Sequence, residues 1–136
     1  MVELVTAAAS LGQGVETSLA QICADGLGVD YRKVRVIHGR TDMIDYGFGA
    51  NAARVTIMVG SATHIAALKM REKVLEIAAE DFLEATPQQL DIVDGVVVRT
   101  DRTDAPSVTL AQIAQELSPA KAAAKGRTPE IGRAHV

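Results

Sequence analysis

Large aromatic side chains are scarce in this sequence, which has no tryptophan, two tyrosines and two phenylalanines. Alanine and valine carry most of the apolar content instead, so a core built from them has few large anchors. Cysteine is also nearly absent, because Cys23 is the only one. A disulfide within the chain is therefore excluded, and the reducing cytoplasm is the default location.

The sequence also lacks the signs of a nucleic-acid-binding or membrane protein. Its 136 residues carry a formal net charge of −3, which argues against nucleic acid as the main partner. No apolar run approaches the roughly 20 residues of a membrane span, and no basic stretch precedes an apolar segment as in a signal peptide. The length leaves room for one domain.

The first half of the sequence predicts two strands separated by a helix. Val2–Ala8 and residues 34–38 have the composition and alternation of strands. Apolar residues recur every three or four positions over Val15–Leu27, which is typical of an amphipathic helix. Gly26 and Gly28 are expected to end this helix, since glycine readily adopts the left-handed conformation of a C-terminal cap.

The second half predicts a long helix, a hairpin and a final helix. The long helix is expected from about Asn51 to Leu83, and its upper part, residues 53–62, is apolar nearly all round and so should be buried on every side. Thr86-Pro87 begins a short helical turn, and Asp94-Gly95 is a strong hairpin signal. A helix over Ser107–Leu117 follows. The order strand, helix, strand, long helix, β-hairpin, helix indicates an α/β or α+β unit.

A glycine-rich turn, Gly12-Gln13-Gly14, lies between the first strand and the first helix. Glycine allows positive φ and the close approach of another group to the backbone. The start of a helix offers unpaired N–H donors and a partial positive charge, which suit an anion such as phosphate. The turn is therefore either a ligand-facing turn or an ordinary tight connection.

A second glycine-rich segment precedes the long helix. Residues 47–52, GFGANA, formally fit the dinucleotide pattern G-x-G-x-x-[G/A]. That pattern requires a strand immediately before the first glycine and an acidic residue at the end of a following strand. Neither is predicted here, so a Rossmann nucleotide site is rejected. If the two glycine-rich turns converge, they would form a pocket for a large phosphate-bearing ligand.

Few other side chains indicate chemistry. Asp42 and Asp45 could act as paired carboxylates, although loop-shaping turn residues are the commoner role for such aspartates. Arg54, on an apolar helix, could bind an anion or be buried against a carboxylate. The three histidines share no ligand spacing with Cys23, so the sequence does not predict a zinc site held by protein side chains.

Four motifs follow one another in unbroken order: GQGVETSLAQICADGLGV, VRVIHGRTDMIDYGFGANAARVTIMVGSA, LDIVDGVVV and SVTLAQIA. Together they resemble the molybdenum-binding large subunit of the xanthine dehydrogenase and aerobic carbon monoxide dehydrogenase family, and the resemblance covers residues 2–129. It implies that the chain is an internal fragment of a larger molybdopterin-binding domain. Ile131–Val136 match one reading frame of a sequencing adapter, and Glu130 fits the codon that the join would leave, so we expect residues 130–136, EIGRAHV, to be a non-native tail.

The resemblance implies two cofactor-binding segments. In the family, the first motif contacts molybdopterin cytosine dinucleotide, which assigns that role to Gly12, Gln13 and Gly14. The second motif usually reads Ser-Arg-Ser-Thr, and here it stands as Ala53-Arg54-Val55-Thr56. Both serines are missing, but Thr56 keeps its hydroxyl, and backbone N–H groups from Ala52 to Val55 could still reach the cofactor.

The resemblance also implies an activity for the complete protein. That activity is hydroxylation of a small substrate (a purine, an aldehyde, an N-heterocycle or carbon monoxide) with oxygen taken from water. The catalytic glutamate of the family lies in a downstream Gly-Glu motif that this sequence lacks, so no catalytic residue is assigned, and the isolated fragment is expected to be inactive. Relatives pair with an FAD-binding medium subunit and a small subunit carrying two [2Fe–2S] clusters. The alternative is a small non-enzymatic α/β module with structural glycine turns.

Overall fold

The computed structural model describes residues 1–47 and 49–118, and these form two compact units. The first unit comprises residues 1–68, and the described part of the second comprises residues 69–118. Each unit has its own buried apolar cluster. The predicted non-native tail lies outside the described residues.

The first unit begins with a parallel β–α–β arrangement. Strands β1 (Val2–Val5) and β2 (Val34–Ile37) pair in parallel, with Val2 opposite Val34, and helix α1 (Val15–Leu27) connects them through a short 3₁₀ turn at Tyr31–Lys33. The predicted bounds of α1 are confirmed. β1 ends three residues earlier than predicted, in keeping with the weak strand preference of alanine.

Only one of the two predicted glycines ends α1. Gly28 has φ 84° and donates its N–H to Ala24 O at 2.8 Å, as expected of a left-handed helix cap. Gly26 instead lies inside the helix and is buried. A methyl group on Gly26 would lie 2.8 Å from Ala67 Cβ, so this glycine allows a neighbouring helix to approach closely.

That neighbouring helix is the predicted long one. It starts with a π-helical turn at Val55–Val59, continues as α2 (Gly60–Ala78) and ends with a second π-helical turn at Ala79–Leu83. Its end is as predicted, and Glu84 stops it with φ 44°. Its start is later than the predicted Asn51, because Ala52 has φ 46°, which is incompatible with a right-handed helix.

The upper part of the long helix is buried on one side only, so the expectation of burial on every side is wrong. Within residues 53–62, Val55 is only 8% exposed, and Thr63 and Ala67 further along, each 4% exposed, continue the buried side of the helix. On the other side Ile57, Ile65 and Leu68 are 61%, 52% and 44% exposed. These large apolar side chains form an exposed stripe along the helix.

The second unit contains the predicted hairpin and the last helix. β3 (Leu90–Val93) and β4 (Val96–Arg99) pair antiparallel, and β5 (Val108–Thr109) extends the sheet beside β4. A capping box at Thr86 begins the 3₁₀ turn Pro87–Gln89, as predicted.

Local turn chemistry and a small core explain this unit. Asp94 and Gly95 both have positive φ, 48° and 81°, which matches the tight hairpin turn that the sequence predicts. Helix α3 (Leu110–Glu116) is shorter than predicted, since the residues before it form β5. Val97 and Ile113 are fully buried at the centre of this core. Within the described part of the chain, no helix is both long and apolar enough to cross a bilayer.

Candidate functional site

Two loops leave the same edge of the first unit's sheet, because the carboxyl ends of parallel strands meet there. The first loop, residues 6–14, follows β1, and the second loop, residues 38–54, follows β2. A backbone hydrogen bond joins them, in which Gly39 N–H donates to Ala8 O at 3.1 Å. The two glycine-rich segments that the sequence singled out are therefore parts of neighbouring loops.

The second loop also approaches the first loop at Gly47. A methyl group at this position would lie 2.9 Å from the carbonyl oxygen of Ala7, too close for any residue with a side chain unless the backbone moved. Gly47 therefore allows one backbone to pass directly beside the other. The glycine serves a packing purpose, in contrast to the open glycines of the first loop.

The Gly12–Gly14 turn opens onto free space at the start of α1. Gly12 and Gly14 have φ 95° and 76°, and a methyl group on either would meet no atom within 4 Å. Gly14 precedes α1 and no side chain caps the helix. Ser18 N–H donates to Gly14 O at 3.0 Å, so the amides of residues 15–17 come before this bond and point out of the helix end. This arrangement fits a ligand-facing turn.

The side chain of Gln13 folds back on its own loop. Its Oε1 accepts from Leu11 N–H at 2.5 Å, and its Nε2 donates to Ala9 O at 3.2 Å. A carboxamide offers two N–H donors and two acceptor lone pairs, so one of each remains for a ligand. Gln13 thus shapes the turn in addition to the role that the resemblance implies, and the sequence pattern did not reveal this second role.

The start of the long helix lies beside the start of α1. Val55, 8% exposed, belongs to the same buried cluster as Val15, the first residue of α1, and Thr56 is exposed next to it. Arg54 N–H already donates to Asn51 O at 3.0 Å, so one of the backbone donors expected for a cofactor is used within the loop. The structure therefore brings the two predicted segments together.

Ala52 and Ala53 form the turn that leads into this helix. Ala52 is a non-glycine residue with φ 46°, a conformation that costs free energy and that clusters at functional sites. Ala53 O accepts from Ile57 N–H at 3.0 Å, and the helix begins there with no side-chain cap. As at α1, the helix start exposes backbone donors rather than a capping side chain.

Charged groups of the second loop have roles other than acid–base chemistry. The guanidinium of Arg40 donates two hydrogen bonds to Asp42, at 2.7 and 2.6 Å, and this contact lowers the pKa of Asp42. Asp42 therefore stays ionised, which disfavours its pairing with Asp45 as a proton donor. Arg54 is exposed, so the hypothesis that it is buried against a carboxylate is wrong.

A contact between Glu16 and His38 was missed at the level of sequence. His38 Nε2 lies 2.8 Å from Glu16 Oε1 and joins the second loop to the first turn of α1. A signal for the contact existed, since His38 directly follows β2 and Glu16 opens the connecting helix, positions that meet at one edge in a parallel β–α–β unit.

Across the described residues, no group of three or more His, Cys, Asp and Glu side chains could hold a metal ion.

Comparison with known proteins identifies the family. Residues 1–132 match the family described as the molybdopterin cofactor-binding domain. This chain belongs to that family. The predicted resemblance and the α+β fold are thereby confirmed.

Two curated relatives illustrate the relationship. This molybdopterin cofactor-binding domain is 35% identical over 132 residues to "6-hydroxypseudooxynicotine dehydrogenase complex subunit gamma" of Paenarthrobacter nicotinovorans, covering 96% of this chain and 16% of the relative. It is 30% identical over 116 residues to "Xanthine dehydrogenase molybdenum-binding subunit" of Escherichia coli O157:H7, covering 85% of this chain and 15% of the relative. The chain thus spans about a sixth of the length of these relatives.

A solved structure agrees with this assignment. The structure of the Cu,Mo-CO dehydrogenase in its carbon monoxide reduced state aligns with a TM-score of 0.73 at 29% identity, over 88% of this chain and 15% of the other. The homologues are molybdenum-containing oxidoreductases, and this chain is a fragment of their molybdopterin-binding domain.

Proposed function

We propose that this chain supplies part of the binding site for molybdopterin cytosine dinucleotide in the large subunit of a molybdenum-dependent hydroxylase or dehydrogenase. The observation that supports this most is the meeting of two uncapped helix starts, at Val15 and Val55, in one buried cluster. Family membership supplies the pterin as the ligand. The proposed cofactor-binding residues are Gly12, Gln13, Gly14, Ala52, Ala53, Arg54, Val55 and Thr56.

The proposed contacts of the first loop are mostly made by backbone groups. Gly12 and Gly14 leave open space above the turn, so a flat or phosphate-bearing group can approach the main chain. The amides at the start of α1 would donate to phosphate oxygens. Gln13 would contribute its remaining N–H donor and acceptor.

The long helix would contact the cofactor from its first turn. Thr56 is exposed and can offer its hydroxyl, and Arg54 is exposed and can offer positive charge to a phosphate. The two serines that the family usually carries here are replaced by Ala53 and Val55. Backbone N–H groups and water would therefore take the place of two side-chain hydrogen bonds.

When bound, the molybdenum cofactor supplies the redox chemistry that hydroxylates a small substrate with oxygen from water. We propose a purine, an aldehyde, an N-heterocycle or carbon monoxide as that substrate. The chain's own residues would grip and orient the cofactor, whereas the general base would come from the rest of the large subunit. As partners we propose an FAD-binding medium subunit and a [2Fe–2S] small subunit. That one relative is named as a subunit of a dehydrogenase complex supports a multi-subunit assembly. The single cysteine favours a cytoplasmic protein.

The test is the cofactor content of the complete large subunit whose gene encodes this chain. The purified protein is denatured in acid, and molybdenum and released cytidine monophosphate are quantified together. We expect equimolar molybdenum and cytidine monophosphate. A protein that carries neither would contradict the proposal and favour a structural module, and molybdenum without cytidine monophosphate would refute the dinucleotide form of the cofactor.

A further inference from the structure

Three segments of the first unit meet at the carboxylate of Glu16. Its Oε1 lies 2.8 Å from His38 Nε2, and its Oε2 accepts from Ser10 Oγ at 3.2 Å. Ser10 belongs to the first loop, Glu16 to the first turn of α1, and His38 to the beginning of the second loop. One carboxylate thus joins the two loops that border the candidate site.

We propose that Glu16 and His38, assisted by Ser10, form a brace that holds the Gly12–Gly14 turn in a fixed position against the second loop. Both are positioning residues, because they act on the backbone that would contact a cofactor. The value of the brace for cofactor binding rests on the proposed function, whereas its existence does not.

The turn needs such support because of its composition. Glycine loses more conformational freedom on ordering than any other residue, and both Gly12 and Gly14 adopt positive φ. Gln13 stabilises the turn from within, but its two hydrogen bonds, to Leu11 and Ala9, stay inside the first loop. They cannot fix the turn relative to the second loop.

The Glu16–His38 contact can do so, since its members are 22 residues apart in sequence. The side chain of His38 is only 25% exposed and that of Glu16 50% exposed, so the pair lies partly out of solvent. The hydrogen bond from the backbone N–H of Glu16 and, second to it, the contact with His38 lower the pKa of Glu16. Glu16 is therefore an ionised acceptor, which strengthens its hydrogen bonds to both loops.

Hydrogen exchange of single amides in the 136-residue chain tests the brace. The reporters are Gly39 N–H, bonded to Ala8 O at the junction of the loops, and Ser18 N–H, bonded to Gly14 O. Gly28 N–H at the other end of α1, bonded to Ala24 O, reports on opening of the first unit as a whole. These amides are followed by NMR in wild type and in variants of His38.

We expect His38→Ala to raise the exchange rates of Gly39 and Ser18 about tenfold and to leave that of Gly28 unchanged, because one charge-assisted hydrogen bond is lost locally. His38→Gln, whose amide nitrogen can replace Nε2, should keep both rates near wild type. His64→Ala, which removes an exposed histidine of α2, serves as the matched control and should change neither.

Unchanged exchange at Gly39 and Ser18 in His38→Ala would overturn the brace. Equal acceleration at Gly28 without rescue by His38→Gln would overturn it too, since the histidine would then stabilise the first unit in general. Hydrogen exchange tests the brace, whereas cofactor content tests the proposed function, so a failure of one can be told from a failure of the other. Local loosening in His38→Ala together with a large subunit that contains no molybdenum would support the brace and refute the proposed function.

Discussion

The close contact between α1 and the long helix makes Gly26→Ala an informative substitution. The new methyl group would lie 2.8 Å from Ala67 Cβ and 3.6 Å from the carbonyl oxygen of His64. Carbon atoms pack best at about 3.5–4.0 Å, so the helices would have to separate by up to about 1 Å. Because Gly26 lies inside a helix, the change also removes the cost of a helical glycine.

The two effects have opposite signs. Overpacking of this kind typically costs about 1–3 kcal/mol, while alanine gains about 1 kcal/mol over glycine in a helix interior. We therefore expect Gly26→Ala to lower the free energy of unfolding by about 1 kcal/mol. That corresponds to a fall in Tm of about 4–8 °C for a unit of this size.

Gly60→Ala is the matched control, because Gly60 is also a buried helical glycine. A methyl group there would lie 3.2 Å from Ile22 Cδ1, the end of a flexible side chain that can rotate away. This variant should keep wild-type stability or gain up to about 1 kcal/mol. The assay is urea unfolding of the 136-residue chain followed by circular dichroism.

The difference in unfolding free energy between the two variants tests the close contact of the helices. If Gly26→Ala proves as stable as Gly60→Ala, or more stable, the helices do not approach as closely as described. Ala67→Gly gives a second check, since it should destabilise wild type by about 1 kcal/mol through helix propensity. In the Gly26→Ala background it should cost less, or stabilise, because it removes the clash.

Three further predictions concern single sites. Cys23 is 5% exposed and its burial raises the pKa of its thiol, so Ellman's reagent should react far more slowly with native than with urea-unfolded protein; equal rates would contradict its burial. Folding lowers the pKa values of the Glu16 and Asp42 carboxyl groups. These carboxylates therefore stabilise the folded chain at a pH above their unfolded pKa values, 4.5 and 3.8, and this stabilisation is lost as the pH falls through the lower folded pKa values. Urea midpoints between pH 6 and 3 should fall, less so in Asp42→Asn, and identical profiles would refute the contribution of Asp42. Ala52→Gly should leave the free energy of unfolding unchanged or raise it by up to about 1 kcal/mol, since φ 46° suits glycine. The control Ala62→Gly in α2 should lower it by about 1 kcal/mol. Equal losses in the two variants, measured by urea unfolding, would contradict the strain at Ala52.

Elements with strong local signals were predictable from sequence. The bounds of α1, the Asp94-Gly95 hairpin and the end of the long helix follow from periodicity and turn chemistry that act over a few residues. The resemblance added the proposal that two segments bind a cofactor, and the structure places their helix starts in one cluster. No local signal shows that two segments about 40 residues apart meet, because that depends on the pairing of the strands.

Features set by tertiary packing were not predictable. The local sequence around Gly26 is typical of a helix end, but the residue lies inside α1, where its missing side chain leaves room for Ala67. Ile57 and Ile65 are apolar and still exposed, because one face of the helix packs on α1 and the described residues leave the other uncovered. The contact of His38 with Glu16 likewise depends on the parallel pairing of β1 with β2.

The most direct test of the central claim is the molybdenum content of the complete large subunit carrying Gln13→Ala. Gln13 is exposed and holds the turn through Ala9 and Leu11, so its loss should weaken the grip on the cofactor without unfolding the protein. We predict a clear fall in bound molybdenum at an unchanged circular dichroism spectrum, with the exposed control variant His64→Ala fully loaded. Full molybdenum content and unchanged turnover in Gln13→Ala would contradict the assignment of this turn to the cofactor.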